Sequence, residues 1–184
     1  MSIRAVFEQF RTATKNGDGD GAVEVVSSLD VEWYDYLLVG ALTLEREELG
    51  ALATIEKFII LRLRHNFSLE ELENLTGEDV IILSFERGWI DLSYLENFEI
   101  DEVDIGIDPG NALVTFADGT AMFFYREGGR HWKVSLGQFM SQANEELNQI
   151  IRESGIPEDQ FFTGLLELLS ERPVDERIFD GPIE

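Results

Sequence analysis

Residues 99–134, EIDEVDIGIDPGNALVTFADGTAMFFYREGGRHWKV, decide the fold class of this chain. Val103, Ile105 and Ile107 alternate with Glu102, Asp104, Gly106 and Asp108, the period-two pattern of a strand with one wet and one buried face. Asp108-Pro109-Gly110-Asn111 suits a type II turn, with Pro setting φ at the second position and Gly supplying positive φ at the third. Residues 112–116 resume the extended pattern, and Asp118-Gly119 signals a two-residue hairpin of type I′. Residues 120–126 are apolar on both faces and predict a central strand covered on both sides. After Gly128-Gly129 the chain returns through His131-Trp132-Lys133-Val134, with Trp132 and Val134 on one face and His131 and Lys133 on the other. Connections this short make the sheet antiparallel, since parallel strands need crossovers of a dozen or more residues.

Outward from this meander the pattern is helical. Ile3, Val6, Phe7 and Phe10 fall at i, i+3, i+4 and i+7 and predict a helix to about residue 15. A break over residues 16–21 precedes a short helix at 22–27 and a third at 30–41. Thr43 is the expected N-cap of one long helix reaching residue 64. Ser68-Leu69-Glu70-Glu71 reads as a capping box opening a short helix, and Thr76-Gly77-Glu78-Asp79 starts another that ends near Gly88. Ser135 with Gln138 three residues on predicts the next helix, with Phe139, Ala143, Leu147 and Ile150 as its apolar face and Gly155 as its stop. Pro157 begins the last helix, and the tail after Pro173 is expected to be irregular and draped on the surface. The fold class is therefore α+β in one domain: residues 1–95 mainly helical, 99–134 an antiparallel meander of about four strands, 135–184 helices and tail.

Composition excludes several functions. With 184 residues the chain is long enough to bury a core without staples, and with no cysteine it has neither disulfides nor thiolate chemistry. A formal charge of −23 makes nucleic acid and anionic membranes poor partners, and favours solubility or a basic protein partner. No apolar run reaches the length of a membrane span, and the N-terminus enters an amphipathic pattern rather than a signal peptide, so a cytoplasmic location is expected.

Helices followed by a meander ending in Gly129, Arg130, Trp132, Lys133 and Val134, with His131 inserted before the Trp, resemble the NTF2-like (SnoaL, ketosteroid isomerase-like) superfamily. Phe7, Phe10 and the break from Gly17 to Val26 resemble that family's opening helix pair. The likeness spans the first thirty residues and 99–134. It departs over 43–95, which reads as helical where many members place a hairpin, and the helices after Val134 would be an extension. It implies a curved sheet wrapped as a cone around a helix, an apolar pocket, often a homodimer, and either ligand binding or isomerase or hydrolase chemistry.

Candidate sites follow. Within the implied cone, Tyr34, Phe123, Tyr125 and His131 are the candidate pocket residues, and His131 with a nearby carboxylate is a candidate general base. Asn16, Asp18 and Asp20 stand at positions 1, 3 and 5 of an EF-hand-like loop over residues 16–27, but Ser27 occupies position 12, where a bidentate Glu is needed. That stretch reads better as a helix–helix turn. No catalytic constellation, nucleotide loop or cofactor motif is present in the sequence. The expectation is a non-enzymatic module binding a small apolar ligand or a basic protein. A pocket enzyme of isomerase or hydrolase type is the alternative, and calcium binding the second.

Overall fold

A computed structural model describes residues 1–106 and 108–183, so Ile107 of the first expected strand lies outside the described residues. Among the described residues are nine α-helices and a four-stranded antiparallel sheet in the order of the sequence. The chain forms two compact units, Met1–Tyr34 with Glu78–Gln138 and Asp35–Gly77 with Phe139–Glu184.

The first unit holds α1 (Ile3–Asn16), α2 (Gly19–Val23), the start of α3 (Ser28–Thr43), most of α7 (Gly77–Glu86) and the strands β1 (Ile100–Ile105), β2 (Asn111–Phe116), β3 (Ala121–Glu127) and β4 (His131–Val134). Ser2 caps α1 by accepting the Ala5 N–H, and the stripe Ile3, Val6, Phe7, Phe10 and Ala13 is buried. The Phe7 ring lies 5.0 Å from Phe116, so α1 packs on the sheet face that also carries Ala112, Val114, Met122, Phe124 and Val134. Each fully buried Phe of this core contributes about 1.5–3 kcal/mol relative to exposure.

The turns differ in type from expectation. Gly110 lacks the positive φ of a type II turn; instead the Asp108 carbonyl accepts the Asn111 N–H and its carboxylate accepts the Gly110 N–H at 2.9 Å. The second hairpin has three loop residues, because only Gly119 has positive φ (87°) and Phe116 N–H donates to the Thr120 carbonyl. That is the type I turn plus bulge arrangement. Positive φ at two successive central residues, as type I′ requires, occurs at Gly128 (54°) and Gly129 (70°).

β3 is an interior strand but is not covered on both sides. Met122 and Phe124 are buried, whereas Phe123 between them is 47 % exposed. Past β4 the chain segment around Val26 adds as a parallel bridge: Val134 N–H donates to Val25 and Ser27 N–H donates to Val134. That edge is therefore sealed. Among the described residues nothing pairs with the outer edge of β1.

The second unit holds the rest of α3, α4 (Arg46–Gly50), α5 (Thr54–Asn66), α6 (Leu69–Glu73), α8 (Gly137–Ser154) from Phe139 on, and α9 (Glu158–Ser170). The expected helix from residue 43 to 64 is broken twice. Thr43 ends α3, and two acidic side chains open new helices: Glu48 accepts the Glu45 N–H at 3.0 Å and Glu56 accepts the Ala53 N–H at 3.1 Å. The capping box at Ser68 forms as expected, with Glu71 reaching back to the Ser68 N–H. Ser135 accepts the Gly137 N–H, but Gln138 donates to the Ala121 carbonyl, so the expected reciprocal cap at α8 does not close. Of α8's apolar stripe only Phe139 is buried, and Ile150 is exposed. The tail is ordered rather than draped: Glu176–Phe179 forms a 3-10 turn that buries Ile178 and Phe179. No described helix is long and apolar enough to cross a membrane.

Candidate functional site

The four residues expected to line a pocket separate into two groups. Tyr34 is enclosed in the core on α3, its ring edge-on to Trp33 at 5.1 Å. Phe123 and Tyr125 alternate with the buried Met122 and Phe124 along β3, and the register sets Lys133 opposite Tyr125 and His131 opposite Glu127, so Phe123, Tyr125, His131 and Lys133 share the sheet face opposite α1. Phe123 and His131 are exposed, and Tyr125 and Lys133 are half-buried.

Register builds this face row by row. Asp104 stands opposite Leu113, and Leu113 opposite Phe123; Glu102 stands opposite Thr115, and Thr115 opposite Ala121. An exposed acidic margin on β1 thus borders a half-open apolar centre on β2 and β3. From Gly88 to Tyr125 the sequence has eight Asp or Glu and no Lys, Arg or His, so the margin is uniformly negative. Glu96 pairs with Lys15 at 2.6 Å, while Glu99, Asp101, Glu102 and Asp104 make no ion pair among the described residues. Exposed carboxylates on one margin attract cations at long range.

A cleft of about 590 Å³ lies between α1 and α2 and is lined by Glu8, Gln9, Thr12, Asp18, Asp20 and Glu24 among others. Here the calcium candidates fall. Asn16 is the last residue of α1 and Asp20 sits in the first turn of α2. Asp18 is the N-cap of α2 and accepts the Gly21 N–H at 2.9 Å. The helix starts at the fourth position of the supposed loop, which leaves no loop to wrap an ion. Among the described residues no group of three or more His, Asp or Glu is placed to hold a metal.

One buried acid escaped the reading of the sequence. Asp30, 7 % exposed, accepts from the Ser27 hydroxyl at 2.6 Å and from the Leu136 N–H at 3.1 Å. Burial pushes its carboxyl above the usual range, against the opposing pull of these hydrogen bonds. Tyr34 lies one helical turn on, and burial, with the Asp30 charge second, raises its hydroxyl too. The Ser27-x-x-Asp30 spacing was the available signal, since it is that of a capping box.

No family model, curated protein or solved structure matches the chain.

Proposed function

We propose that this chain is a non-enzymatic protein-interaction module that receives a basic polypeptide on its sheet. The observation that carries the reading is Phe123, 47 % exposed at the centre of an interior strand. A large apolar side chain left in water on a rigid element is the usual mark of a contact surface. The unpaired carboxylates beside it select positive charge. The NTF2-like resemblance, drawn from the sequence order of helices and meander, is kept as a proposed parent architecture on which the interaction reading does not depend. The test compares the protein with its Phe123→Ser variant against lysine-rich and glutamate-rich peptides carrying aliphatic residues. The lysine-rich peptide should bind and dissociate in moderate salt, and Phe123→Ser should weaken it about tenfold with thermal stability unchanged. Equal binding by the variant defeats the reading.

One observation favours a pocket enzyme as the second reading: a carboxyl raised by burial, Asp30, one turn from a buried Tyr34. Against it, both Asp30 contacts described above are structural, and the described cleft reaches neither residue.

A further inference from the structure

We infer that the basic partner docks as an added strand along the outer edge of β1, and that its sequence alternates basic and aliphatic residues. This rests on the interaction reading above and names where the partner's extended segment pairs; Phe123, on β3 and about three strand spacings from the added strand, takes the part of the polypeptide that crosses the sheet face.

The ladder with β2 leaves some backbone groups of β1 pointing outward. In an antiparallel ladder, hydrogen-bonded and non-bonded residue pairs alternate. Gly106 N–H donates to the Asn111 carbonyl at 3.1 Å, which makes 106 and 111 a bonded pair. Counting back through the register, Asp104 opposite Leu113 is bonded, while Ile105 opposite Ala112 and Val103 opposite Val114 are not. The same alternation checks independently from the next hairpin. Phe116 N–H donates to the Thr120 carbonyl at 2.9 Å, so Val114 and Ala112 turn their polar groups toward β3 and not toward β1. The N–H and C=O groups of Val103 and Ile105 therefore point away from the sheet, and no strand, turn or loop among the described residues takes them.

Such an edge templates any extended chain unless something discourages it. Here the discouragement has a sign. Asp101, Glu102 and Asp104 are exposed and without ion pairs among the described residues, in a chain of formal charge −23. A second copy presenting its own β1 would bring like charges opposite one another, which is destabilising in a cross-strand pair. A basic strand instead meets opposite charges, so the edge repels its own kind and accepts a cationic one.

The pleat then dictates the partner's pattern. Glu102 and Asp104 project to the face that carries Phe123, and Val103 and Ile105 to the opposite face, where Ile105 is 55 % exposed. A strand added to this edge places alternate residues beside each set. Lys or Arg belongs next to Glu102 and Asp104, and a β-branched residue next to Ile105. Main-chain bonds supply the affinity and the alternation supplies the selection.

The experiment uses the full chain and two synthetic twelve-residue peptides of one composition, one alternating Lys and Val and the other with all Lys before all Val. The alternating peptide should bind about tenfold tighter, and on binding the Val103 and Ile105 amides should exchange more slowly while Asp104 is unchanged. Val103→Pro, which removes one outward N–H and spares the bonds to β2, should cost about tenfold, the worth of one main-chain bond. Glu102→Lys with Asp104→Lys should transfer preference to a Glu-Val peptide. Equal affinity for the two lysine peptides, or exchange rates at 103 and 105 unmoved by binding, overturns strand addition while leaving the interaction reading intact. Failure of both lysine peptides to bind the folded protein at low salt overturns both.

Discussion

The Asp30 carboxylate accepts the N–H of Leu136, 106 positions away, at 3.1 Å, while the same oxygen accepts from Ser27 at the start of α3. One acid thus ties the opening of a helix to the exit of the last strand. Asp30→Ala would orphan both donors in a buried setting and is expected to cost about 2 kcal/mol, measurable by urea denaturation.

The same carboxyl makes a pH prediction. Its folded pKa lies above the ordinary 3.8, so the folded state holds the proton more tightly than the unfolded chain. Stability from this group is then fully present below pH 3.8 and is lost as pH rises through the folded pKa. Asp30→Asn keeps an acceptor and removes the titration. Its stability relative to the parent should improve as pH is raised from about 4 to 7; a difference that stays constant across that range would refute the assignment.

Arg64, only 2 % exposed, has no carboxylate within salt-bridge distance among the described residues. Its guanidinium donates to the carbonyls of Ala41, Gly40, Leu44 and Ile178. Three of these are at or just beyond the C-terminal end of α3, where orphan carbonyls and the helix dipole favour a cation. Burial brings the Arg64 pKa down to about 10, which leaves it charged at neutral pH. Arg64→Ala should cost about 3 kcal/mol or more and free the 176–179 turn. Trypsin cleavage at Arg177 should accelerate accordingly.

Two helical glycines carry opposite expectations. A Cβ on Gly19 would sit 2.4 Å from the Ile82 carbonyl oxygen and 2.8 Å from its Cα, both backbone atoms that cannot swing aside. Gly19→Ala should destabilise by about 2 kcal/mol. Gly164, in α9, meets nothing within 4 Å, and Gly164→Ala should stabilise by about 0.5–1 kcal/mol through the helix propensity of Ala. Thermal melts of the pair decide this.

His65 closes α5 with its Nε2 2.8 Å from the Ser170 hydroxyl and accepting from Arg172 Nε at 3.2 Å. Arg can only donate, so the imidazole is neutral at Nε2. Burial, and then Arg172, lower its pKa below 6.5, with Glu167 opposing. The stabilising contribution is present above pH 6.5 and is lost as pH falls through the folded pKa. His65→Gln should flatten that part of the stability profile, and an unchanged profile would count against it.

Much of the architecture was legible because it is written locally. Period-two alternation marked the strands, the 3.6-residue spacing of Ile3, Val6, Phe7 and Phe10 marked α1, and Ser68-x-x-Glu71 marked a helix start. The break at Ala53 was less visible, because Leu52, Ile55 and Ile59 keep helical period across it. The capping acids Glu48 and Glu56 win locally by satisfying N–H groups that a continuous helix would have bonded anyway.

By itself the sequence determined an antiparallel meander, the helices around it and an acidic character that disfavours nucleic acid. Those depend on neighbours a few residues apart and on a sum of charges. Only the tertiary structure decided that Phe123 faces water, that Asp30 is buried, and that no described residue pairs with the β1 edge while Val25–Ser27 seals the β4 edge. Burial and edge pairing depend on which distant segment arrives. The apolar run Met122-Phe123-Phe124 reads the same whether one face of its strand is covered or two.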